Sequence, residues 1–92
     1  MPRPLCPRCI EGHPEIRYFK PIGIPLRHLE EISLAADEWE AIRLADREGL
    51  YRTDAAVRMK VSRQTFDRIL RRARTKVADA LLEGKALRLE PA

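Results

Sequence analysis

The sequence predicts a mainly α fold in which three helices share one core, with short β segments near both ends. A chain of 92 residues is long enough for one compact core but not for two. Its apolar residues recur at three- and four-residue steps through most of the second half. Residues 1–15, rich in Pro, Arg and Cys, follow neither the helical nor the strand period. We therefore divide the chain into an irregular N-terminal arm, residues 1–15, and a single domain, residues 16–92.

The first part of the domain is predicted to consist of extended segments and turns. Residues 16–20 read Ile-Arg-Tyr-Phe-Lys and predict a short strand that ends at Pro21, because proline has no backbone N–H to donate to a sheet. Residues 21–26, Pro-Ile-Gly-Ile-Pro-Leu, predict a turn. The segment from Leu29 to Leu34 is either a second strand or a lead-in to the first helix.

The first helix is predicted to run from Asp37 to Glu48. Asp37 suits an N-cap, and Glu40 three residues later would complete a capping pair. Gly49 is a residue type that ends helices. The predicted buried side of this helix consists of Trp39, Ala41, Ile42, Leu44 and Ala45.

Two further helices are predicted on either side of a break of about three residues. The shorter one spans residues 54–59, with Thr53 as N-cap and apolar residues at Ala56, Val57 and Met59. The longer one begins after Ser62, again a good N-cap, and ends at Gly84. Its apolar stripe is formed by Phe66, Ile69, Leu70, Ala73, Val77, Ala80 and Leu81.

The positive charge of the chain is concentrated in one short segment. The whole chain has a net charge of +4, whereas residues 62–76 alone hold six basic and one acidic side chain. A basic stripe on one helix is either a surface that meets polyanions, most often nucleic acid, or a hydrated helix face. Two helices with a tight break, the second long and basic, are the arrangement of a helix-turn-helix, here with a core of about residues 37–84. A three-helix bundle that binds another protein has the same pattern.

Parts of the helical half resemble the helix-turn-helix in the C-terminal promoter-binding region of RNA polymerase sigma factors. The resemblance lies in residues 37–49, 54–66 and 69–74. It implies a sigma-like mode of binding double-stranded DNA. Lys60 departs from the pattern, because sigma-like motifs usually have glycine before the Val-Ser pair.

Over residues 16–90 the chain is similar to an uncharacterised family of small prokaryotic proteins predicted to bind DNA. The recurring blocks are Tyr-Phe-Lys-Pro-Ile-Gly-Ile-Pro-Leu at 18–26, Ser-Arg-Gln-Thr-Phe at 62–66 and Gly-Lys-Ala-Leu-Arg at 84–88. The resemblance implies a transcriptional regulator. Some relatives are joined to, or resemble partners of, domains related to dinitrogenase iron-molybdenum cofactor proteins, which implies a metal-cofactor-related protein partner.

The outward turns at the start of the long helix are the expected base-reading positions. In the usual docking of a helix-turn-helix, these residues face base edges; arginine suits guanine O6 and N7, and glutamine suits adenine N6 and N7. A helix N-terminus also attracts phosphate. The expected base-reading residues are Arg63, Gln64, Asp67 and Arg68. The expected phosphate-binding residues are Arg52, Thr53, Ser62, Thr65, Arg71, Arg72, Arg74 and Lys76.

Every cysteine and histidine lies within the first 28 residues, as Cys6, Cys9, His13 and His28. Cys-Pro-Arg-Cys has the half-site spacing of many zinc modules. Together with the two histidines it provides the four ligands that a tetrahedral zinc site takes. The histidines are separated by 14 residues, whereas strong zinc motifs have two tight pairs. A zinc site, a redox pair and two unliganded thiols all remain open.

Other functional classes find little support in the sequence. The chain has neither a glycine-rich phosphate loop nor a paired acid motif, so we expect no enzyme activity. No apolar run approaches the roughly 18 residues of a membrane span. The proline- and arginine-rich start lacks the apolar centre of a signal peptide, so we expect a cytoplasmic protein without membrane contact.

The C-terminal apolar residues predict self-association. Leu87 and Leu89 alternate with charged residues and predict a short half-buried strand. Together with Leu81 and Leu82 they offer apolar surface beyond the three-helix core, so we expect a homodimer. The alternative to DNA binding is a protein-interaction adaptor of the transcription or metal-cofactor machinery.

Overall fold

The computed structural model describes residues 9–12 and 17–91, and the order of elements in this part follows the predicted one. Three α-helices form most of it, and three short strands lie near its two ends, which confirms a mainly α fold. The helices are α1 (Ala36–Ile42), α2 (Arg52–Met59) and α3 (Arg63–Glu83). The strands are β1 (Tyr18–Phe19), β2 (Glu31–Leu34) and β3 (Ala86–Leu89).

The strands form one small sheet with β3 in the centre, in the order β1-β3-β2. β1 is antiparallel to β3, with Phe19 opposite Leu87. β2 is parallel to β3, with Leu34 opposite Leu89. A single 3-10 turn, Leu26–His28, precedes β2. The segment before the first helix therefore contains a second strand, which was one of the two alternatives left open by the sequence.

The N-cap of helix α1 lies two residues before the predicted one, so the prediction that Asp37 caps this helix is wrong. The N-cap is Ala35, whose backbone N–H donates to the carboxylate of Glu38 at 2.8 Å. Alanine has no side-chain acceptor, so only the glutamate half of a capping pair is present. The helix continues into one π-helical turn, Arg43–Arg47, and Gly49 follows with a positive φ of 74°.

Helix α2 also begins earlier than predicted, because Tyr51 rather than Thr53 is its N-cap. It ends at Lys60, whose backbone is left-handed at φ 58° and ψ 43°. The N–H groups of Lys60 and Val61 donate to the carbonyls of Val57 and Ala56, each at 3.0 Å. This is the paired hydrogen bonding of a Schellman motif. The break before α3 is thus the three residues 60–62, as predicted.

Helix α3 has both predicted ends. Ser62 is its N-cap, and Gly84 follows it with a left-handed φ of 67°. Its buried residues pack against α1 and α2 in one cluster and against the sheet in a second. The first cluster contains Ala41, Leu44, Ala55, Ala56, Met59, Phe66, Ile69 and Leu70. The second contains Leu34, Ala73 and Leu89, with Trp39, Ile42 and Leu87 beside it.

Two residues that the helical period assigned to apolar faces are exposed instead, namely Val57 and Leu81. Val57 lies on the outer side of α2, and Leu81 belongs to the last turns of α3, beyond the reach of α1 and α2.

Within residues 9–12 and 17–91, no helix combines the length and the apolar character that crossing a bilayer requires.

Candidate nucleic-acid interface

The start of α3 is fixed by a local hydrogen-bond pair. The Ser62 hydroxyl oxygen accepts the backbone N–H of Thr65 at 3.1 Å, and its O–H donates to the Thr65 hydroxyl at 2.9 Å. This N-cap defines the first turn of α3. The side chains of Arg63 and Gln64, which follow the cap, are exposed.

The exposed outer face of α3 carries a row of polar side chains at helical spacing. Gln64, Arg68, Arg71 and Thr75 are separated by four, three and four residues, so they share one side of the helix. All four are exposed. Among the described residues, neither Arg68 nor Arg71 has an ion-pair partner. We call this row the outer stripe.

Asp67 connects α3 to the first turn of α2. Its carboxylate lies 3.5 Å from the Arg52 guanidinium and 3.9 Å from that of Arg63. The side chain of Asp67 is only 29% exposed, compared with 60% for Arg63. Asp67 thus lies beside two arginines that are predicted to contact DNA. Its side chain is less exposed than that of either arginine.

Two shallow grooves place the predicted residues of α2 and α3 next to each other. Arg52 and Thr53 line one groove together with Arg63. Arg52 also lines the second groove, with Arg71 and Arg74 of α3. The first turn of α2 and the outer side of α3 therefore border two neighbouring grooves that share Arg52, and Asp67 lies in the lining of one of them.

Besides Arg52, three more of the predicted phosphate-binding residues have acidic partners within the chain. The Lys76 ammonium donates to the Glu38 carboxylate at 2.8 Å and to the Ser33 carbonyl at 2.7 Å. Arg72 also donates to Glu38, and Arg74 pairs with Asp46 at 2.6 Å. Much of the positive charge that the sequence assigns to residues 72–76 is thus balanced inside the fold.

Glu38 is a buried carboxylate that is absent from the residues predicted to form the site. Its side chain is 1% exposed. Burial would raise the pKa of this carboxyl, but hydrogen bonds from Lys76, the Ala35 backbone and Arg72 together lower it below the ordinary value of 4.5. Glu38 therefore stays ionised and ties α3 to the start of α1.

Glu40 is fully buried and holds residues 9–12 of the arm against the helices. Its carboxylate accepts the backbone N–H groups of Glu11 at 2.9 Å and Gly12 at 3.3 Å, and it pairs with Arg43 at 2.8 Å. Burial acts to raise the pKa of Glu40, but the hydrogen bond from Arg43 and the two backbone N–H groups lower it overall. The prediction that Glu40 completes the helix cap is therefore wrong.

The same segment also reaches the end of α2. The Cys9 N–H donates to the Met59 carbonyl at 2.8 Å, and the Glu11 carboxylate pairs with Arg58 at 2.7 Å. Residues 9–12 therefore connect α1 with the last turn of α2, immediately before the Lys60 turn. We call this segment the strap.

The burial of Glu38 and Glu40 could have been predicted from their spacing in the sequence. Glu40 precedes Leu44 by four residues, and Glu38 precedes Ala41 and Ile42 by three and four residues, so helical spacing places both carboxylates on the apolar side of α1. A carboxylate on a buried stripe requires a cationic partner. Arg43 follows Glu40 at helical spacing and could be recognised from the sequence, whereas Lys76, a partner of Glu38, is identifiable only in the folded chain.

The candidate metal ligands are only partly described. Cys6 and His13 lie outside the described residues. Cys9 is half-buried beside the end of α2, whereas His28 is exposed in the 3-10 turn before β2. Over residues 9–12 and 17–91, no group of three or more His, Cys, Asp or Glu side chains could hold a metal ion.

Comparison with known proteins identifies close relatives along almost the whole chain. A model of the family described as "Protein of unknown function DUF134" matches residues 1–91. Over 90 residues the chain is 60% identical to a UPF0251 protein from Moorella thermoacetica, 57% to one from Halothermothrix orenii and 56% to one from Caldanaerobacter subterraneus. No solved structure matches the chain.

The relatives are longer than this chain. Each of the three alignments covers 98% of it. The share of the relative that is covered is 60% for the Moorella protein, 67% for the Halothermothrix protein and 76% for the Caldanaerobacter protein. The similarity thus concerns the region described above and leaves further residues in each relative.

Proposed function

The chain belongs to the DUF134 family of proteins of unknown function, and we propose that it binds double-stranded DNA sequence-specifically and regulates transcription. The observation that carries the proposal is the outer stripe. Arg68 and Arg71 are exposed without an acidic partner in the described part of the chain. They follow a capped helix start that lies beside the first turn of α2. This is the surface that a helix-turn-helix presents to the major groove.

In this proposal the start of α3 reads bases. Arg63, Gln64 and Arg68 lie within the first two turns of α3 and are exposed. Arginine can donate two hydrogen bonds to guanine, and glutamine can make a bidentate contact with adenine. Asp67 pairs with Arg52 and Arg63. In this proposal it positions these two arginines for DNA more than it contacts bases itself.

Phosphate contacts would flank the base-reading residues. Arg52 and Thr53 lie in the first turn of α2, where backbone N–H groups and the helix dipole attract anions. Arg71 extends the same surface along α3. Arg74 can reach a phosphate only by sharing or leaving Asp46. Arg72 and Lys76 would have to leave buried Glu38, which makes them the weakest members of the predicted set.

Selection of bound duplexes from a random DNA pool tests the proposal. We expect a defined motif to be enriched by the parent protein. Arg63→Ala, Gln64→Ala or Arg68→Ala should each cost about 1 to 3 kcal/mol on that motif and relax the preference at one position. Arg71→Ala should weaken binding to all sequences alike.

Arg27→Ala is the matched control, because Arg27 is an exposed arginine in the 3-10 turn, away from α3. It should leave both affinity and motif unchanged. The proposal of base reading fails if no motif is enriched. It also fails if the three base-reading variants and Arg71→Ala lose the same affinity on every sequence.

The internal ion pairs favour one alternative function. Because Glu38 and Asp46 balance Arg72, Arg74 and Lys76, the free positive charge of α3 is smaller than the sequence suggests. A protein-interaction adaptor of the transcription or metal-cofactor machinery needs no excess of cations. Salt dependence separates the two functions, because DNA affinity falls with a log-log slope near −0.9 per phosphate contacted.

A further inference from the structure

We propose that Asp67 sets the selectivity of the DNA surface, because its carboxylate opposes contacts with phosphate and holds Arg63 ready to read a base. The inference rests on the proposed function and adds to it the means by which the surface distinguishes its motif from other DNA. Asp67 is the one acidic residue among the basic residues of the segment 62–76. It lies on α3 and pairs with Arg52 in the first turn of α2.

The fold itself gives little reason for an acidic side chain at this position. Oδ1 of Asp67 is shielded from water and accepts no hydrogen bond from the described part of the chain. The Arg52 guanidinium lies 3.5 Å from this oxygen, beyond the ordinary length of a hydrogen bond. A buried oxygen without a hydrogen bond costs stability. The position of Asp67 is therefore better explained by the surface that it borders than by the core.

An anion that entered the groove beside Asp67 would meet a carboxylate as well as guanidinium groups. Arg52, Arg71 and Arg74 line this groove, and Asp67 lies among them. Because like charges repel, Asp67 lowers the affinity of the groove for phosphate. The DNA backbone carries the same phosphates whatever its sequence, so this penalty falls on every duplex alike.

Only the motif can offset that penalty through Arg63. Arg63 lies four residues before Asp67 on α3, and their ion pair at 3.9 Å restrains an arginine side chain that is 60% exposed. A side chain already held near its bound position loses less entropy when it binds. The long separation also lets Arg63 turn toward guanine without breaking a short hydrogen bond. Removing the carboxylate should therefore strengthen binding to DNA in general and weaken the preference for the motif.

Fluorescence anisotropy of the full chain with two duplexes, one carrying the selected motif and one scrambled, tests the inference. Asp67→Asn keeps the shape of the side chain and removes its charge. We expect this variant to bind the scrambled duplex about two- to fivefold more tightly than the parent does. The ratio between the affinities for the two duplexes should fall about tenfold. Asp67→Glu keeps the charge, so its affinity for the scrambled duplex should stay at the parent level.

Asp79→Asn is the matched control, because it removes the same charge from the same helix. Asp79 pairs with Lys85 at 3.1 Å and lies twelve residues beyond Asp67, which is roughly 18 Å along α3. This distance exceeds the Debye length of about 8 Å at physiological ionic strength, so both affinities should be unchanged. An equal effect of Asp79→Asn would mean that net charge, and not the position of Asp67, sets the affinity, and would overturn the inference.

A double-mutant cycle with Arg63→Ala tests whether Asp67 acts through Arg63. In the Arg63→Ala background, Asp67→Asn should still tighten binding to the scrambled duplex, but it should no longer change the ratio between the two duplexes. A merely structural role of Asp67 would lower the ratio in both backgrounds, which would contradict the inference.

Three further outcomes would overturn the inference. They are an unchanged ratio in Asp67→Asn, weaker binding of this variant to the scrambled duplex, and equal binding of the scrambled duplex by Asp67→Asn and Asp67→Glu. Each of them can occur in a parent that prefers its motif, so the proposed function would survive. A parent that prefers no motif would overturn the inference together with the proposed function.

Discussion

Lys60 has the left-handed backbone at the turn between α2 and α3, where sigma-like motifs usually have glycine. Its φ of 58° is the only positive φ of a non-glycine residue in the described part of the chain. The left-handed conformation costs an L-residue roughly 1 kcal/mol, and glycine avoids that cost. We therefore expect Lys60→Gly to leave the free energy of unfolding equal or higher in urea denaturation, despite the larger unfolded-state entropy of glycine.

Lys60→Ala is the control, because alanine removes the exposed side chain but keeps the Cβ that causes the strain. It should not gain the stability that glycine gains. If Lys60→Gly clearly unfolds at lower urea than the parent, the left-handed turn carries no strain that glycine can relieve.

Glu38 makes the stability of the protein depend on pH. Its pKa is below 4.5 in the folded chain, so the folded state binds this proton less readily than the unfolded state does. The stabilisation is complete above the ordinary value and is lost as the pH falls below about 4.5 and through the folded pKa. Glu38→Gln should cost about 1 to 3 kcal/mol at pH 7 and weaken the acid dependence of unfolding.

Urea denaturation between neutral and acidic pH measures this effect. Glu31→Gln, at an exposed position of β2, serves as the control and should behave like the parent. Because the pKa values of Glu40 and Glu11 are also lowered, part of the acid dependence should survive in Glu38→Gln. An unchanged stability at pH 7 would contradict a role for Glu38 in holding α3 to α1.

The strap shows how an irregular segment can stabilise regular elements. A Cβ placed on Gly12 would lie 2.9 Å from Arg43 Nε and 3.1 Å from the Trp39 ring. Arg43 is fixed by its ion pair with Glu40, so it has little freedom to move. We expect Gly12→Ala to lower the free energy of unfolding by about 1 kcal/mol or more.

A double-mutant cycle with Arg43→Ala identifies the cause. In the Arg43→Ala background, which removes one of the two close neighbours, Gly12→Ala should cost less than it does in the parent. Equal costs in both backgrounds would mean that the strap does not approach α1 as closely as the structure describes.

Helix ends were predictable where a side chain or a glycine specifies them. Both ends of α3 were predicted correctly from Ser62 and Gly84. A hydroxyl N-cap and a left-handed glycine end a helix through interactions within one turn, so the local sequence is enough to locate them. The starts of α1 and α2 were placed two residues late. Their N-caps, Ala35 and Tyr51, make no side-chain capping hydrogen bond, so no local signal marks them.

The assembly of the whole molecule was less predictable than its elements. The parallel pairing of β2 with β3 joins segments more than fifty residues apart, and a short strand does not specify its partner. The ion pairs of Glu38 and Asp46 likewise depend on how α1 meets α3. Sequence patterning could therefore locate the basic helix, but it could not tell which of its cations are already paired.

That distinction leads to an expectation about which cations act in stability and which in DNA binding. Few described cations of the proposed surface lack an acidic partner. Arg72 and Lys76 would have to leave Glu38 before they bind phosphate, and Arg74 would have to share or leave Asp46. Variants of Lys76 should thus change stability more than they change the salt dependence of DNA binding. Variants of Arg71 should do the reverse.

The central claim, that α3 reads DNA with its outer stripe, is tested most directly by the salt dependence of affinity for the selected duplex and for a scrambled duplex. Fluorescence anisotropy should show a steep decrease in affinity with salt on both duplexes, and tighter binding to the selected one at every salt concentration. Arg71→Ala should reduce the log-log slope by about 0.9, and Arg68→Ala should reduce the preference for the selected duplex by about 1 to 3 kcal/mol. Affinity that is independent of salt, or equal for the two duplexes in the parent, would contradict the claim.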